Sequence, residues 1–401
     1  MKRNNLQNFF YPKSIMLVGA SKNKAKVGGI LFDKITKSKC NVIPVNPGYE
    51  KIENIKCYSS VEEYSKKIDL LIIATPALTV NSILKSCVKK KIKNVIVISA
   101  GFSEVKNNKL QEDIVKTARK GGINLLGPNC FGIYNPFLNL DLTFSSTSPK
   151  SGSTAFISQS GALWSYISDL DLGFSGFVSL GNMADLSFNE WVEYFIKDKK
   201  TKKIVLYIER LTEGREFIEI CKKSKKEISV IKAGQTKKGS DATISHTASI
   251  ATDYAIYSGA FSQARVKQLE SLVEAFGMSS EKILLKNRES VIITNAGGAG
   301  ALLVDRLVKQ NHKVSSPIDI LGTATAKDYE KELKKLENKK YKGNIIIILT
   351  PQEMSEPENT AKVILESKLK KNIIALFLGD KSITDAKKIL EKVGIKVVTK
   401  I

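Results

Sequence analysis

Ile15-Met-Leu-Val-Gly-Ala-Ser-Lys-Asn-Lys-Ala-Lys-Val-Gly-Gly29 opens as an unbroken apolar run, turns on a glycine and leads into a helix-like segment. Four more such runs follow at helix-sized intervals: Val42-Ile-Pro-Val-Asn46, Leu70-Leu-Ile-Ile-Ala74, Val95-Ile-Val-Ile-Ser99 and Asn124-Leu-Leu-Gly127. Strands that are apolar throughout, rather than alternating, have both faces covered, and strands separated by helices run parallel. The pattern predicts a doubly wound, Rossmann-like α/β domain. In such a sheet the ligand binds beyond the carboxyl ends of the strands. The turns there are Gly19-Ala20-Ser21 with Val27 at the next helix start, Asn46-Pro47, Thr75-Pro76 and Ser99-Ala100-Gly101. The first turn lacks GxGxxG, and no acid follows the second strand to hold a ribose diol, which argues against an NAD-dependent dehydrogenase.

The same alternation recurs twice. A Ser/Thr/Pro-rich loop at Phe144–Gly152 marks a boundary. After it, Thr154-Ala-Phe-Ile-Ser-Gln-Ser-Gly-Ala-Leu163 reads as a strand entering a helix start, where free N–H groups and the helix dipole favour an anion. Further strands are expected at Gly176–Gly181, Ile204–Glu209 and Ile228–Gly234. Glu209 ends an apolar strand, and two readings stand for it: a carboxylate that orients an imidazole, or one that faces water. The next stretch, Gly239–Thr252, is expected to be a loop and carries His246, one of two histidines in the chain. Ser245, Thr247, Ala248 and Ser249 leave room beside that ring, which near neutral pH can serve as base, ligand or nucleophile. A lone histidine is as readily a packed side chain, and His312, in a polar loop, is read that way. Helices are expected through Tyr254–Ala264 and Leu269–Phe276. A third unit begins at Val291-Ile-Ile-Thr-Asn-Ala-Gly-Gly-Ala-Gly300 and continues through Ile345–Thr350, Ile373–Gly379 and Lys396–Thr399. The expected domains are 1–148, 149–284 and 285–401.

Composition narrows the function. A chain of 401 residues exceeds one ordinary core. No apolar run reaches the ~18 residues of a membrane span, and the N-terminus has no apolar signal region. Five scattered cysteines, without CxxC spacing, argue against zinc and for a reducing cytoplasm. The net charge of +23 sits on lysine-rich stretches such as Lys89–Lys93 and Lys222–Lys226, without interleaved aromatics, so a nucleic-acid binder is not expected. Such a surface draws in polyanionic ligands such as coenzyme A or nucleotides.

Taken as a series, Val18-Gly-Ala-Ser, Pro44-Val-Asn-Pro, Gly127-Pro-Asn-Cys-Phe-Gly, Ile157-Ser-Gln-Ser-Gly-Ala-Leu, Ser179-Leu-Gly-Asn-Met-Ala-Asp, Tyr207-Ile-Glu, Lys232-Ala-Gly, Ser245-His-Thr and Thr294-Asn-Ala-Gly-Gly resemble, in order and spacing, the α subunit of ADP-forming acyl-CoA synthetases. These are commonly acetate–CoA ligases, relatives of succinyl-CoA synthetase. The resemblance implies a CoA-binding domain followed by two flavodoxin-like CoA-ligase domains. It implies that His246 is phosphorylated in turnover, that Glu209 orients it, that Ser160 and Gly161 hold phosphate, and that Asn129 lies where acyl group and phosphate meet. It implies that Gly19, Ala20, Ser21, Val27, Asn46, Pro47, Thr75, Pro76, Ser99, Ala100 and Gly101 line a CoA groove. Because the chain has no P-loop or ATP-grasp pattern, it also implies an ATP-grasp β subunit, in an α2β2 assembly, that binds ADP or ATP with Mg²⁺. Ala248 and Gln235 stand where the family usually has Gly and Arg. A second reading is therefore a CoA-binding regulatory or scaffold protein that has lost turnover.

Overall fold

The computed structural model describes residues 6–247 and 253–401, the side chains of 244–247 excepted. Among the described residues three large sheets carry the chain, with a small antiparallel pair, Lys51–Ile52 and Ile55–Lys56, beside them. In the first, five parallel strands lie in the order Asn41–Val45, Ser14–Val18, Leu70–Ile73, Asn94–Val97, Asn124–Leu126. In the second, Lys267–Leu269, Glu227–Lys232, Lys203–Ile208, Lys150–Ser158 and Gly173–Ser179 run parallel. Ile133–Asn135 joins that sheet antiparallel, with Leu140–Asp141 paired back on it, so chain from before the Ser/Thr/Pro loop completes the second sheet. The third orders Lys313–Val314, Glu289–Thr294, Asn344–Leu349, Ile373–Phe377 and Val397–Val398, all parallel, with Ile318–Asp319 also on Glu289–Thr294. In the first two sheets the first parallel strand is flanked by the second on one side and the third on the other; in the third sheet Glu289–Thr294 has Lys313–Val314 and Asn344–Leu349 as its neighbours in the sheet order, with Ile318–Asp319 also paired to it. Chain direction across the sheet therefore reverses beside the first strand, and the reversal opens a crevice at the carboxyl ends.

Of the runs read as buried strands, Ser14–Val18, Leu70–Ile73, Asn94–Val97 and Asn344–Leu349 are covered along their whole length, whereas Asn41–Val45 is covered only over its last three residues. The units also share their cores. Ile15, Leu17 and Phe32 of the first pack in one apolar cluster with Trp191, Val192 and Phe195 of the second. Phe156, Trp164 and Phe177 of the second cluster with Ile292, Ile346 and Leu376 of the third. The short helix Gln7–Phe10 seals the first junction, with the Phe9 ring edge-on to Trp191 at 5.3 Å.

Two sequence expectations are corrected. Leu269–Phe276 is not a helix. Leu269 ends an edge strand paired with Ile231, and the rest is a 3₁₀ turn, Val273–Phe276, stopped by Gly277 in the left-handed region. The Gly239–Thr252 loop is in part helical, over Lys237–Thr247. Among the described residues, all five cysteines are free thiols, and no helix is long and apolar enough to cross a membrane.

Candidate functional site

The first crevice is shaped by backbone contact. Gly19 has φ +94, and a Cβ there would lie 2.5 Å from the Ala74 carbonyl oxygen; one on Gly28 would lie 1.9 Å from the Gly19 oxygen. Only bare backbone lets the helix Val27–Ile35 start this close to the strand end. Beside it the strand ends are tied together. Gly19 N–H donates to the Val45 oxygen at 2.9 Å, Ala74 N–H to the Val18 oxygen at 2.9 Å, and the Ser99 hydroxyl to the Thr75 oxygen at 2.5 Å. A cleft of about 350 Å³ is lined here by Gly19, Asn46, Pro47, Thr75 and residues 59–62.

Thr75 also belongs to a larger cavity of about 520 Å³, and that cavity is where the three crevices meet. The first sheet contributes Thr75, Ser99 and Ala100. The second contributes Gln159, Ser160 and Gly161, and the third Asn295, Ala296, Gly297 and Gln352. Three helices begin on its wall, with neutral first turns: Val27-Gly-Gly-Ile30, Ala162-Leu-Trp-Ser165 and Gly297-Gly-Ala-Gly300. Each presents unsatisfied N–H groups and the positive end of its dipole, so the cavity favours an anion. The second and third starts touch: a Cβ on Gly298 would lie 2.7 Å from the Ser160 Oγ, and the buried Tyr207 hydroxyl donates to the Gly298 oxygen at 3.2 Å. Burial, then the nearby Glu209 charge, raises that phenol well above its ordinary pKa, so it stays a donor.

Polar side chains fix the wall. Asn129, in the left-handed region at φ 55 and after a cis Gly127–Pro128 bond, donates from Nδ2 to Asn182 Oδ1 at 3.2 Å. Asn182 in turn donates to Glu104 Oε2 at 2.5 Å and Gln111 Oε1 at 2.9 Å. The Asn129 amide plane is thereby set from the first unit. Asn295 bridges the third crevice, donating to the Thr350 oxygen and accepting from Thr350 N–H, each at 2.9 Å. Cys130 lines the cavity too, but burial pushes its thiol up to about 12, which makes it a poor nucleophile.

Glu209 lies behind this wall, not on it. It is 4% exposed, which overturns the water-facing reading. The Gln159 Oε1 accepts from the N–H groups of Glu209 and Arg210 at 2.7 and 2.8 Å, holding the two strand ends of the second crevice together. Beside it, Lys232 is 4% exposed, with its Nζ 4.4 Å from the Tyr257 ring centroid. Burial lowers its pKa to about 8 against the pull of Glu209 and Asp305. The His246 side chain lies outside the described residues; its backbone falls in the last turn of Lys237–Thr247.

Residues 13–136 match a CoA-binding domain family model, and 151–280 match that of the succinyl-CoA ligase-like flavodoxin domain. An acetate–CoA ligase [ADP-forming] of Methanocaldococcus jannaschii is 39% identical over 97% of this chain, which spans 60% of that relative's length. The acetate–CoA ligase [ADP-forming] II subunit alpha of Pyrococcus furiosus is 36% identical over 97% of this chain and 93% of its own length. The chain belongs to this family of ADP-forming acetate–CoA ligase α subunits. A solved structure of the Candidatus Korarchaeum cryptofilum dinucleotide-forming acetyl-coenzyme A synthetase 1, in complex with phosphate and ADP, covers 99% of the chain at 30% identity with a TM-score of 0.66.

Within this family member the two spaces divide the residues expected from sequence. Val27, Thr75, Ser99, Ala100, Asn129, Ser160 and Gly161 line the large cavity; Gly19, Asn46, Pro47 and again Thr75 line the cleft. Four expected CoA residues line neither. Ala20 is buried and accepts from Asn46 Nδ2 at 2.7 Å, Ser21 accepts from Asn23 N–H, Pro76 precedes the helix Ala77–Lys89, and Gly101 donates to Glu104 Oε1. Sequence reasoning missed Gln159, Asn182, Asn295 and Gln352. Gln159, Asn182 and Asn295 lie inside the quoted motifs Ile157–Leu163, Ser179–Asp185 and Thr294–Gly298, which were the available signal, and Gln352 lies in none of them. Among the described residues, no cluster of acids, cysteines and histidines forms a metal site.

Proposed function

We propose that this chain is the α subunit of an ADP-forming acyl-CoA ligase, with acetyl-CoA as the expected substrate, interconverting acyl-CoA, ADP and phosphate with acid, CoA and ATP. The observation that carries this reading is the convergence of three neutral helix starts from three sheets on one cavity, next to a cleft built from βα turns. CoA occupies the cleft and reaches the cavity past Thr75. Phosphate, held at Ser160 and Gly161, attacks the thioester carbonyl; the C–S bond breaks, and acyl phosphate and CoA thiol form. A His246 nitrogen lone pair then attacks phosphorus. The P–N bond forms as the P–O bond breaks, and the acid leaves as carboxylate. Glu209 takes the hydrogen bond from the other ring nitrogen and steadies the charge that develops there. Phosphoryl transfer asks mainly for positioning and electrostatic stabilisation, which helix starts and small residues supply.

The phosphohistidine passes its group to ADP on a partner, an ATP-grasp β subunit that holds Mg²⁺. The names of α-subunit relatives and the phosphate and ADP in the aligned Korarchaeum structure support that division. Incubating the chain with ³²P-acetyl phosphate should give acid-labile, base-stable label on residue 246, absent in His246→Asn. CoA binding without label would leave the regulatory reading in its place.

A further inference from the structure

The turn that launches the His246 helix is bolted to the third unit by one buried carboxylate. Asp305, on the helix Gly297–Lys309, is 4% exposed. Its Oδ2 accepts from the N–H groups of Gly234 and Gln235 at 2.7 and 2.9 Å. Its Oδ1 accepts from Thr236 N–H at 2.7 Å and the Thr236 hydroxyl at 2.8 Å. That hydroxyl accepts from Gly239 N–H at 3.0 Å, and Ser240 N–H closes the first helical turn on the Thr236 oxygen at 2.7 Å. Thr236 thus caps the helix Lys237–Thr247, and Asp305 places a negative charge at its positive end. Gly239 permits the approach: a Cβ there would lie 1.9 Å from Asp305 Oδ1. One turn on, Lys309 Nζ donates to Gln235 Oε1 at 2.6 Å. The helix bearing Asp305 starts at Gly297 on the cavity wall, so one rigid element touches both the cavity and the root of the His246 segment.

We propose that Asp305 is a positioning residue for phosphoryl transfer: it sets the register of the His246 helix against the phosphate cavity, and through it the third unit takes part in the reaction. The proposal rests on the phosphohistidine reading. A misplacement of about 1 Å at a reacting group lowers its rate on the order of a hundredfold. In that reading thioester cleavage takes place inside the cavity, whose lining among the described residues includes none of 237–243.

The test measures both half-reactions on full-length chain. For Asp305→Ala and Gly239→Ala, which crowds the carboxylate without removing it, labelling of residue 246 from ³²P-acetyl phosphate should fall by about tenfold or more. Phosphate-dependent release of CoA from acetyl-CoA should stay within about twofold of wild type. Amide hydrogen exchange should quicken at Gly234–Thr236. Unchanged labelling in a folded variant overturns the proposal, as does equal loss of both half-reactions. If Asp305→Ala does not fold, Gly239→Ala decides alone. Absence of label in the wild-type chain would defeat the phosphohistidine reading instead, which separates the two failures.

Discussion

A β-carbon on Gly28 would sit 1.9 Å from the Gly19 oxygen, a distance no non-bonded pair tolerates, so the helix start must lift off the strand end. Gly28→Ala should lower stability by about 1–3 kcal/mol in urea titration, as overpacking does. It should also weaken CoA binding by calorimetry, because the displaced turn is the cleft wall. Lys232 makes a different point. Its pKa falls from 10.5 to about 8 on folding, because burial disfavours the charged form. Below pH 8 both states are protonated, and the full penalty is present. Between pH 8 and 10.5 the unfolded chain binds more protons, so this group raises stability with pH. The gain is on the order of 2–4 kcal/mol. Unfolding measured across that window for wild type and Lys232→Met should show the rise only in wild type; parallel curves would mean that Lys232 stays charged in the fold.

Helix starts give the cavity its charge preference, and that can be tested with a residue that suits the helix. Ala162 is the first residue of Ala162–Asp169 and lines the cavity. An acid there favours the helix by about 0.3–1 kcal/mol yet opposes a bound anion. Ala162→Asp should keep the melting temperature and raise the phosphate KM about tenfold or more, whereas Ala162→Asn should not. Equal effects of the two would mean that steric fit, not charge, governs. The elements most legible in the sequence were those with continuous burial: Ile15–Val18, Leu70–Ile73 and Ile345–Leu349 are apolar throughout, of strand length and bounded by turn residues, which together favour a covered strand over a buried helix segment. The illegible ones owe their conformation to distant partners. Lys237–Thr247 holds Gly239, Ser240 and Thr243, a weak helix former by composition, and its start is ordered by Asp305 some seventy positions on. Leu269–Phe276 has helical spacing, but pairing of Leu269 with Ile231 takes it into a sheet edge. The same limit hid half the cavity wall. Asn182 and Asn295 lie inside quoted motifs, but their place on the wall shows only when the fold brings them to Asn129 and Thr350.

The three units each have the strand order of an independent domain, yet their apolar faces are not independent. Trp191 packs in one cluster with Ile15, and Trp164 in another with Ile292. Buried polar contacts reinforce the second junction. Asp169, 1% exposed, accepts from Asp380 N–H at 2.7 Å, and from Ser382 N–H and hydroxyl at 3.0 and 2.7 Å. Domains joined by small polar interfaces move and melt separately, whereas units that share a core lose it together. A cavity assembled from three sheets needs the second behaviour, since each unit supplies one helix start and none alone encloses an anion. Scanning calorimetry of the intact chain should therefore give one transition whose van't Hoff and calorimetric enthalpies agree. Asp169→Ala, which strands two N–H groups and a hydroxyl, should lower stability by about 3 kcal/mol without splitting that transition. Separate transitions in the wild-type chain would mean that the third unit is a loosely held neighbour, and that the helix start at Gly297 is not a fixed part of the anion site.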